Sequence, residues 1–358
     1  MNHTMPSTPT PTILVTGAAG YVASWVVAQL LQAGHRVHGT VRSLSDTHKT
    51  QHLSALAAQF PGRLTLFAAD LESPGSFDAA MQNCTHVIHV ASPYFFEKPK
   101  DPMRQLVQPA LEGTRNVLAS VNRTASVQRV VLTSSVVALY NHACDLGADA
   151  QHTVQECDVN PNTDPHANPY AYSKTVAERA AWDLQGQQQR WDLVTIHPGA
   201  VFGPSLSRRV DASSVTMVIQ FLKGAFRTGV PALELGLVDV RDVARAHVQA
   251  ALLPQAKGRY IAVAHSMRLL EMARVMQLDG TGLANKLPRS EAPKWLMWLI
   301  GPLVGLQRSY VAHNVGYPLR FNNQRSQIEL GLHYRSAGET LNDQIQQLLR
   351  DGLLQGKP

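Results

Sequence analysis

The chain has 358 residues, of which 44% are hydrophobic, and its formal net charge of +6 arises from 32 basic and 26 acidic side chains. At roughly 150 residues per domain, this length predicts about two structural units. The basic residues are interspersed with acidic ones and form no long run, so nucleic-acid binding is not expected, and a pocket for an anionic cofactor explains part of the excess.

The cysteines and the N-terminal stretch indicate the compartment. Cys84, Cys144 and Cys157 are odd in number and form no CxxC pair, which argues against a disulfide framework and against a metal cluster. Residues 1–11 are polar and proline-rich and lack the apolar segment of a signal peptide, so we expect a disordered tail there. These features predict a cytoplasmic protein without a metal site.

A strand, a glycine turn and a helix open the ordered part of the chain. Residues 12–16 form an apolar run typical of a strand, and residues 21–32 have helical character. Between them, Gly17 permits a tight turn and Gly20 lets backbone N–H groups approach a pyrophosphate, while Ala23 allows the helix to pack closely on the strand. This order predicts a dinucleotide-binding unit.

The end of the second predicted strand, residues 35–41, indicates which dinucleotide binds. An NAD site usually carries a carboxylate about 20 residues after the glycines, where it contacts the ribose 2′-hydroxyl. This chain has Arg42 at that place and Lys49 shortly after it. Two cations suit a 2′-phosphate, so NADP(H) is the expected cofactor. The alternative is an ordinary exposed arginine at the end of a strand.

Further predicted strands end in residues that can face a ligand. Asp70 follows one of them, where it can bind the adenine amine or cap a helix. Residues 91–93 (Ala-Ser-Pro) follow the next, at the place where the crevice of an open parallel sheet lies. The aromatic run 94–96 predicts a pocket wall. These strands are expected at 64–68, 86–90, 130–135, 192–197 and 259–263, with a helix at 50–59 before the first of them.

Residues 168–174 (Asn-Pro-Tyr-Ala-Tyr-Ser-Lys) predict the start of a helix that carries chemistry. Asn168 is a favourable N-cap and Pro169 suits the first helical position. Tyr170 and Lys174 lie four residues apart and therefore share a face. A nearby ammonium lowers the pKa of a phenol from its ordinary value of about 10, which makes the phenol a usable general acid or base. By itself the spacing is also typical of a solvated helix.

Two later segments bear on the ligand. The Pro/Gly-rich loop 198–204 follows a strand and can pack against a nicotinamide ring, whereas His197 before it is interpreted as a hydrogen-bonded residue at a strand end. The apolar window 295–306 is interrupted by Gly301 and Pro302 and is too short to cross a bilayer. We expect a buried helix or a lid over an apolar ligand, with contact to a membrane surface as the alternative, and no stable membrane insertion.

Together these motifs resemble the extended short-chain dehydrogenase/reductase superfamily. Within it the chain is most similar to the branch of dihydroflavonol reductases, cinnamoyl-CoA reductases and aldehyde or methylglyoxal reductases. The resemblance implies an α/β fold: a Rossmann-type doubly wound parallel sheet with a smaller, mostly helical C-terminal substrate-binding region. The NADP-binding core is expected at 12–204 with a later strand near 259–263, and the substrate-binding region at 205–258 and 264–358. The motifs are Thr16-Gly17-x-x-Gly20-x-x-Ala23, Asp70-Leu71, Thr133-Ser134-Ser135, Tyr170-x-x-x-Lys174 and Pro198-x-x-Val201-x-Gly203-Pro204.

The resemblance also implies roles for individual residues. Ser135 hydrogen-bonds the substrate carbonyl, with Ser134 as a less suitable candidate one residue earlier. Tyr170 protonates the carbonyl oxygen as hydride arrives from NADPH, and Lys174 holds the nicotinamide ribose and lowers the pKa of Tyr170. Besides Tyr170 and Lys174, the positions that match cofactor contacts are Gly17, Gly20, Tyr21, Arg42, Lys49, Asp70, Leu71, Ala91, Pro198, Val201 and, more loosely, Ser213.

Departures from the family pattern bear on which substrate is expected. Tyr140 stands where plant flavonoid reductases usually carry Asn, and the cinnamoyl-CoA reductase signature Asn-Trp-Tyr-Cys-Tyr is absent. The expected activity is NADPH-dependent reduction of an apolar or aromatic ketone or aldehyde by a monomer or homodimer. A sugar-nucleotide epimerase or dehydratase of the same fold, and a non-catalytic NADP-binding sensor, are the alternatives. The expected pocket walls are Pro93, Tyr94, Phe95, Tyr140 and Phe202.

Overall fold

The computed structural model describes residues 11–92, 101–147, 151–162, 164–166, 168–278 and 280–354, so the expected tail at 1–11 lies outside it except for Pro11. The strands of the described residues are β1 (Thr12–Thr16), β2 (Arg36–Val41), β3 (Leu64–Ala68), β4 (Cys84–His89), β5 (Arg129–Thr133), β6 (Asp192–Pro198), β7 (Ala200–Phe202), β8 (Val230–Pro231), β9 (Glu234–Asp239), β10 (Gly258–Ala262), β11 (His265–Arg268) and β12 (Glu291–Ala292). The helices are α1 (Tyr21–Gln32), α2 (Thr47–Gln59), α3 (Asp78–Met81), α4 (Gln108–Arg123), α5 (Pro169–Gly186), α6 (Ser213–Lys223), α7 (Val240–Leu252), α8 (Leu269–Val275), α9 (Lys294–Ile300), α10 (Arg308–Asn314), α11 (Gln324–Glu329) and α12 (Ala337–Arg350).

Seven parallel strands form the main sheet, in the order β10-β6-β5-β4-β1-β2-β3. The chain builds β1 to β3 towards one edge and then returns to place β4 on the other side of β1. In open parallel sheets, ligands bind outside the carboxyl ends of the strands where the order reverses in this way. The doubly wound α/β fold is confirmed, and its crevice lies between the ends of β1 and β4.

Both faces of this sheet are buried, which explains why its strands are apolar runs. Ile13 and Val15 of β1 lie in the core cluster that contains residues of α1 and α7. Leu14, between them, lies in the cluster on the other face with Val117 and Val121 of α4. Helix α5 packs against α4 on that second face. The helix that carries Tyr170 and Lys174 is therefore held against the sheet.

The rest of the chain forms a smaller region with its own core. Strands β7, β9 and β11 make a three-stranded sheet and β8 pairs with β12, and helices follow from α8 to α12. The expected helical C-terminal region is confirmed. Two details show that the main sheet and the smaller region interleave around the expected boundary between residues 204 and 205. Strand β7 already pairs with β9 in the smaller sheet, and α7 packs on α1 in the layer of the main sheet.

Two helix starts show how well local sequence determines boundaries. Helix α5 begins as predicted, with Pro169 at its first turn and the Asn168 side chain accepting a hydrogen bond from the Ala171 N–H. Helix α2 begins at Thr47, three residues before the predicted start at 50. The reason is Asp46, whose side chain accepts from the Lys49 N–H and caps the helix earlier.

The apolar segment around α9 differs from the expected buried helix. Met297 is buried, but Trp295 and Trp298 are 68% and 46% exposed. One side of the helix rests on a small core cluster with Val311 and Val315, and the other side faces solvent. Across the described residues, none of the helices combines the length and apolarity that crossing a bilayer requires.

Candidate active site

The turn after β1 requires a glycine at its first position. Gly17 has a φ of +64°, which residues with side chains rarely adopt, and a Cβ there would lie 3.0 Å from the Cβ of Ala91. The Gly20 N–H donates to the Gly17 carbonyl at 2.8 Å and closes the turn. Helix α1 starts at Tyr21 without a side-chain cap, so its first N–H groups are left for a ligand or solvent. This turn fits the phosphates of a dinucleotide.

The two predicted cations for a 2′-phosphate lie at the end of β2 and the start of α2. Arg42 is exposed directly after β2. The Nζ of Lys49 lies 2.7 Å from a carboxylate oxygen of Asp46, in an exposed ion pair. Such a pair contributes little to stability, and Lys49 can exchange partners at little cost. Arg42 is therefore the better placed of the two for an incoming phosphate.

Asp70 and Leu71 lie after β3, on the same edge of the sheet. The Asp70 carboxylate is exposed and accepts a hydrogen bond from the Glu72 N–H at 3.0 Å, which stabilises the local turn. Leu71 packs on α4, where a Cβ on Gly113 would lie 3.0 Å from the Leu71 Cβ. The Leu71 carbonyl accepts from Asn116 at 2.7 Å. The second carboxylate oxygen of Asp70 is thus the one that would make the predicted adenine contact.

Tyr170 and Lys174 occupy the first two turns of α5 and differ sharply in exposure. Tyr170 is 38% exposed, whereas Lys174 is 9% exposed. The Lys174 Nζ lies 3.2 Å from the Ser92 Oγ and 3.4 Å from the Thr133 carbonyl oxygen, at the ends of β4 and β5. Burial lowers the pKa of Lys174 to about 8, against an opposing effect of the Glu178 carboxylate. The ammonium is thus fixed at the carboxyl edge of the sheet.

The two serines after β5 have different partners. Ser134 donates to the Glu178 carboxylate at 2.5 Å, so its hydroxyl is already engaged. Among the described residues, the Ser135 Oγ has two long hydrogen bonds: it donates to the Pro198 carbonyl at 3.5 Å and accepts from the Val137 N–H at 3.4 Å. A weakly held hydroxyl can turn towards a substrate. This difference favours Ser135 over Ser134 as the carbonyl-binding residue.

Glu178 is a buried carboxylate that the sequence reasoning missed. It is 1% exposed and accepts from Ser134, from the Trp182 Nε1 at 3.1 Å and from the Arg259 Nε at 2.7 Å. Burial raises the pKa of Glu178, but His197, Arg259 and Ser134 together lower it to about 2. The sequence did contain a signal for this residue: Glu178 follows Lys174 by four residues, as Lys174 follows Tyr170, so the three share a helix face.

His197 connects this carboxylate to Ser135. The ring is fully buried, and its Nε2 lies 3.4 Å from a Glu178 carboxylate oxygen. On the other side, its Nδ1 lies 3.1 Å from the Ser135 carbonyl oxygen, to which only an N–H can donate. His197 therefore acts as a hydrogen-bonded residue at a strand end, in agreement with its predicted interpretation.

The remaining predicted cofactor residues lie on the loop after β6 and at two helix starts. The Tyr21 phenol donates to the Gly203 carbonyl at 2.5 Å, so the predicted cofactor contact of Tyr21 falls to its backbone N–H. Burial raises the pKa of this phenol well above its ordinary value. Pro198 ends β6, Val201 lies half-buried in β7, and Ser213 is the first residue of α6.

Arg209 is a second residue that the sequence reasoning missed. Its guanidinium forms an ion pair with Asp211 and lies 3.4 Å from the Ala19 carbonyl in the glycine turn. Together with burial, this charge lowers the pKa of His52 to about 4. No spacing in the sequence marks Arg209, since the 205–212 loop brings it to the turn only in the folded chain. It places a cation beside the predicted pyrophosphate site.

The predicted substrate walls fall into three groups. Pro93, Tyr94 and Phe95 lie outside the described residues. Tyr140 is half-buried, with its ring centroid 5.9 Å from that of Phe321, and burial raises its pKa. Phe202 is a correction: it is 0% exposed in the core of the smaller region, because β7 pairs with β9 and turns this side chain inward.

The arrangement suits proton transfer next to a dinucleotide. The Lys174 ammonium and Ser135 lie at the carboxyl edge of the sheet, and Tyr170 precedes Lys174 by one helical turn. A cleft of about 710 Å³ lies elsewhere, at the start of β10 behind α5. Glu178 lines it, but none of the predicted site residues does. In the part of the chain that the structure describes, no cluster of His, Cys, Asp and Glu could hold a metal ion.

Comparisons with known proteins identify the family of this chain. Residues 13–264 match the model of the NAD dependent epimerase/dehydratase family. A Medicago truncatula protein described as cinnamoyl-CoA reductase CAD2 is 38% identical over 74% of this chain and 79% of its own length. A Gerbera hybrida dihydroflavonol 4-reductase is 33% identical over 74% of this chain and 72% of its own. The structure of yeast methylglyoxal/isovaleraldehyde reductase Gre2 complexed with NADPH is 26% identical, covers 96% of this chain and 99% of its own, and superposes with a TM-score of 0.77.

Proposed function

This chain belongs to the NAD dependent epimerase/dehydratase family of extended short-chain dehydrogenases/reductases, and from that membership we propose that it reduces an apolar or aromatic ketone or aldehyde to the alcohol. It is an NADP-dependent oxidoreductase, as its named reductase relatives indicate. The observation that carries the proposal is the spacing on α5, where an accessible Tyr170 precedes a buried Lys174 by one turn. The loosely held Ser135 hydroxyl after β5 supports it.

The cofactor preference rests on this chain and on its relatives together. The family description names NAD, whereas the yeast relative is complexed with NADPH. Here, the end of β2 carries the exposed cation Arg42 in place of a carboxylate. The glycine turn would hold the pyrophosphate, Arg42 the 2′-phosphate and Lys174 the nicotinamide ribose. When bound, the reduced dinucleotide supplies the hydride.

The proposed chemistry assigns one task to each of three side chains. Ser135 donates a hydrogen bond to the carbonyl oxygen and orients it. Tyr170 gives its phenol proton to that oxygen as hydride adds to the carbon, so a C–H bond and an O–H bond form and the C=O π bond is lost. Lys174 keeps a positive charge one turn away and stabilises the phenolate that remains. Solvent then returns a proton to Tyr170.

The epimerase or dehydratase alternative is weaker on the same observations. Dehydratases typically have Thr-Asp-Glu at the end of β5, where this chain has Ser134-Ser135-Val136, and epimerases usually have an acidic residue in place of Arg42. The discriminating experiment is a screen of NADPH oxidation with aldehydes, diketones, aryl ketones and steroids. Turnover of one of these classes supports the proposal. A purified protein that carries tightly bound NAD and is inert towards all of them would favour the alternative.

Substitution of Arg42 tests the cofactor preference. In Arg42→Ala, the KM for NADPH is expected to rise by about tenfold or more, because a charge-assisted hydrogen bond contributes about 1.5–3 kcal/mol. The KM for NADH, which lacks the 2′-phosphate, should change little. Initial rates with both cofactors measure this, and Arg36→Ala at the other end of β2 is the matched control. A wild-type preference for NADH contradicts the role given to Arg42.

A further inference from the structure

The C-terminal region carries an apolar stripe that the proposed reaction does not use. Trp295, Trp298, Leu299 and Leu303 are 68%, 46%, 55% and 86% exposed. They recur at helical spacing along α9 and the short turn after it, on the side opposite the buried Met297. Other exposed large apolar side chains, such as Leu44 and Ile328, are separate from this segment in the sequence. We call these four residues the tryptophan stripe.

The sequence around the tryptophan stripe is cationic. In the sequence, no Asp or Glu occurs between Glu291 and Glu329. Glu291 lies 3.3 Å from Arg268 in an ion pair, so its charge is compensated. In the sequence, the exposed basic residues nearest to the stripe are Arg289, Lys294 and Arg308, of which Lys294 also donates to the Ala312 carbonyl at 2.8 Å. The Arg308 guanidinium lies 4.7 Å from the ring centroid of Trp298, which joins the basic and aromatic parts into one surface.

We propose that the tryptophan stripe and its basic rim bind the surface of a bilayer that contains anionic lipids. Trp is the side chain that best suits the boundary between headgroups and acyl chains, because it has a large apolar ring and one N–H donor. Lys and Arg beside it attract anionic headgroups. The segment is too short to span a bilayer, so it would lie in the interface and leave the main sheet in water.

Charge argues against a second copy of the chain as the occupant. Across a two-fold axis, the same surface meets itself, so the basic rims of two copies would face each other. The acid-free segment offers no carboxylate to pair with them, and like charges brought together in this way disfavour association. An anionic lipid surface supplies the missing negative charge.

The central experiment is flotation of the full chain with lipid vesicles. Vesicles of phosphatidylcholine with added phosphatidylglycerol are compared with vesicles of phosphatidylcholine alone, at low and high salt. Wild type is expected to float with the anionic vesicles and to lose most of that binding at high salt, because screening weakens attraction between exposed charges. The triple variant Trp295→Ser, Trp298→Ser, Leu303→Ser should bind at least tenfold less.

Two further variants separate the contributions. Ile328→Ser removes an 80% exposed apolar side chain outside the stripe and should float like wild type. Arg289→Glu with Arg308→Glu keeps the stripe and should lose the preference for anionic vesicles. The triple variant should keep the circular dichroism spectrum and the rate of NADPH oxidation of wild type. Unchanged values would show that the variant lost vesicle binding without losing its fold.

Three outcomes would overturn the proposal. The first is wild type that stays unbound with anionic vesicles, and the second is a triple variant that floats as well as wild type. The third is a dimer of the wild-type chain, detected by light scattering without lipid, that becomes monomeric in the triple variant while neither protein binds vesicles. That result would assign the stripe to a contact with a second copy of the chain. None of these outcomes depends on the carbonyl substrate, so they test the membrane proposal independently of the proposed reaction.

Discussion

Replacing Tyr170 with Phe is expected to lower kcat for carbonyl reduction by about 10²–10⁴-fold, the usual contribution of a positioned general acid. The substitution removes one oxygen and keeps the ring. Tyr170 is 38% exposed at the start of α5, so the change leaves no buried cavity and the fold should be unaffected. NADPH binding, measured by quenching of protein fluorescence, should stay within about twofold of wild type, because the phosphates and the ribose have other partners.

The same helix offers a matched control for this variant. Tyr172 is half-buried two residues later and on a different side of the helix. Tyr172→Phe should keep nearly full activity with whichever carbonyl compound the screen identifies. If Tyr170→Phe retains wild-type turnover, the proposed proton transfer is wrong. If both variants lose NADPH binding, the loss is structural and Tyr170 has no special role in the chemistry.

Local sequence was sufficient for the parts of the site that depend on neighbours in the chain. The glycine turn lies between one strand and one helix, and the Tyr170–Lys174 spacing depends on a single helix whose cap and first proline are adjacent to it. The parallel sheet could also be expected, since alternating strands and helices lead to a parallel sheet with few topologies. These predictions needed no contact between distant segments.

The sequence failed where burial or a distant partner decides the role. Phe202 was expected to be a pocket wall and lies in the Pro/Gly-rich segment 198–204, but the pairing of β7 with β9 buries it completely. Arg209 has no local signal, and it reaches the glycine turn only through the fold. Glu178 has the right helical spacing, yet its importance comes from Arg259 and His197 on neighbouring strands of the sheet.

Replacing Glu178 with Gln is expected to have the largest effect on stability, about 3 kcal/mol in the free energy of unfolding. That is the lower end of the usual cost of breaking a buried charge pair. Gln keeps one acceptor oxygen, and Arg259 still donates to the carbonyls of Glu156 and Asp158, which limits the loss. Urea denaturation measures it. The matched control is Glu112→Gln, whose exposed ion pair with Arg115 should contribute less than about 1 kcal/mol.

The pH dependence distinguishes an electrostatic role of Glu178 from a purely structural one. The folded chain holds the pKa of Glu178 at about 2, below its ordinary value of 4.5, so the carboxylate stabilises the fold above pH 4.5 and this stabilisation is lost as pH falls towards 2. The stability difference between wild type and Glu178→Gln should therefore shrink in that acid range.

The same carboxylate raises the pKa of Lys174, which burial lowers to about 8. Without it, the pKa of Lys174 falls further, and the alkaline limb of kcat should move to lower pH. Glu178→Asp keeps the charge and should restore the limb even where it does not restore stability. An alkaline limb at the same pH in wild type and Glu178→Gln would contradict electrostatic coupling between the two side chains.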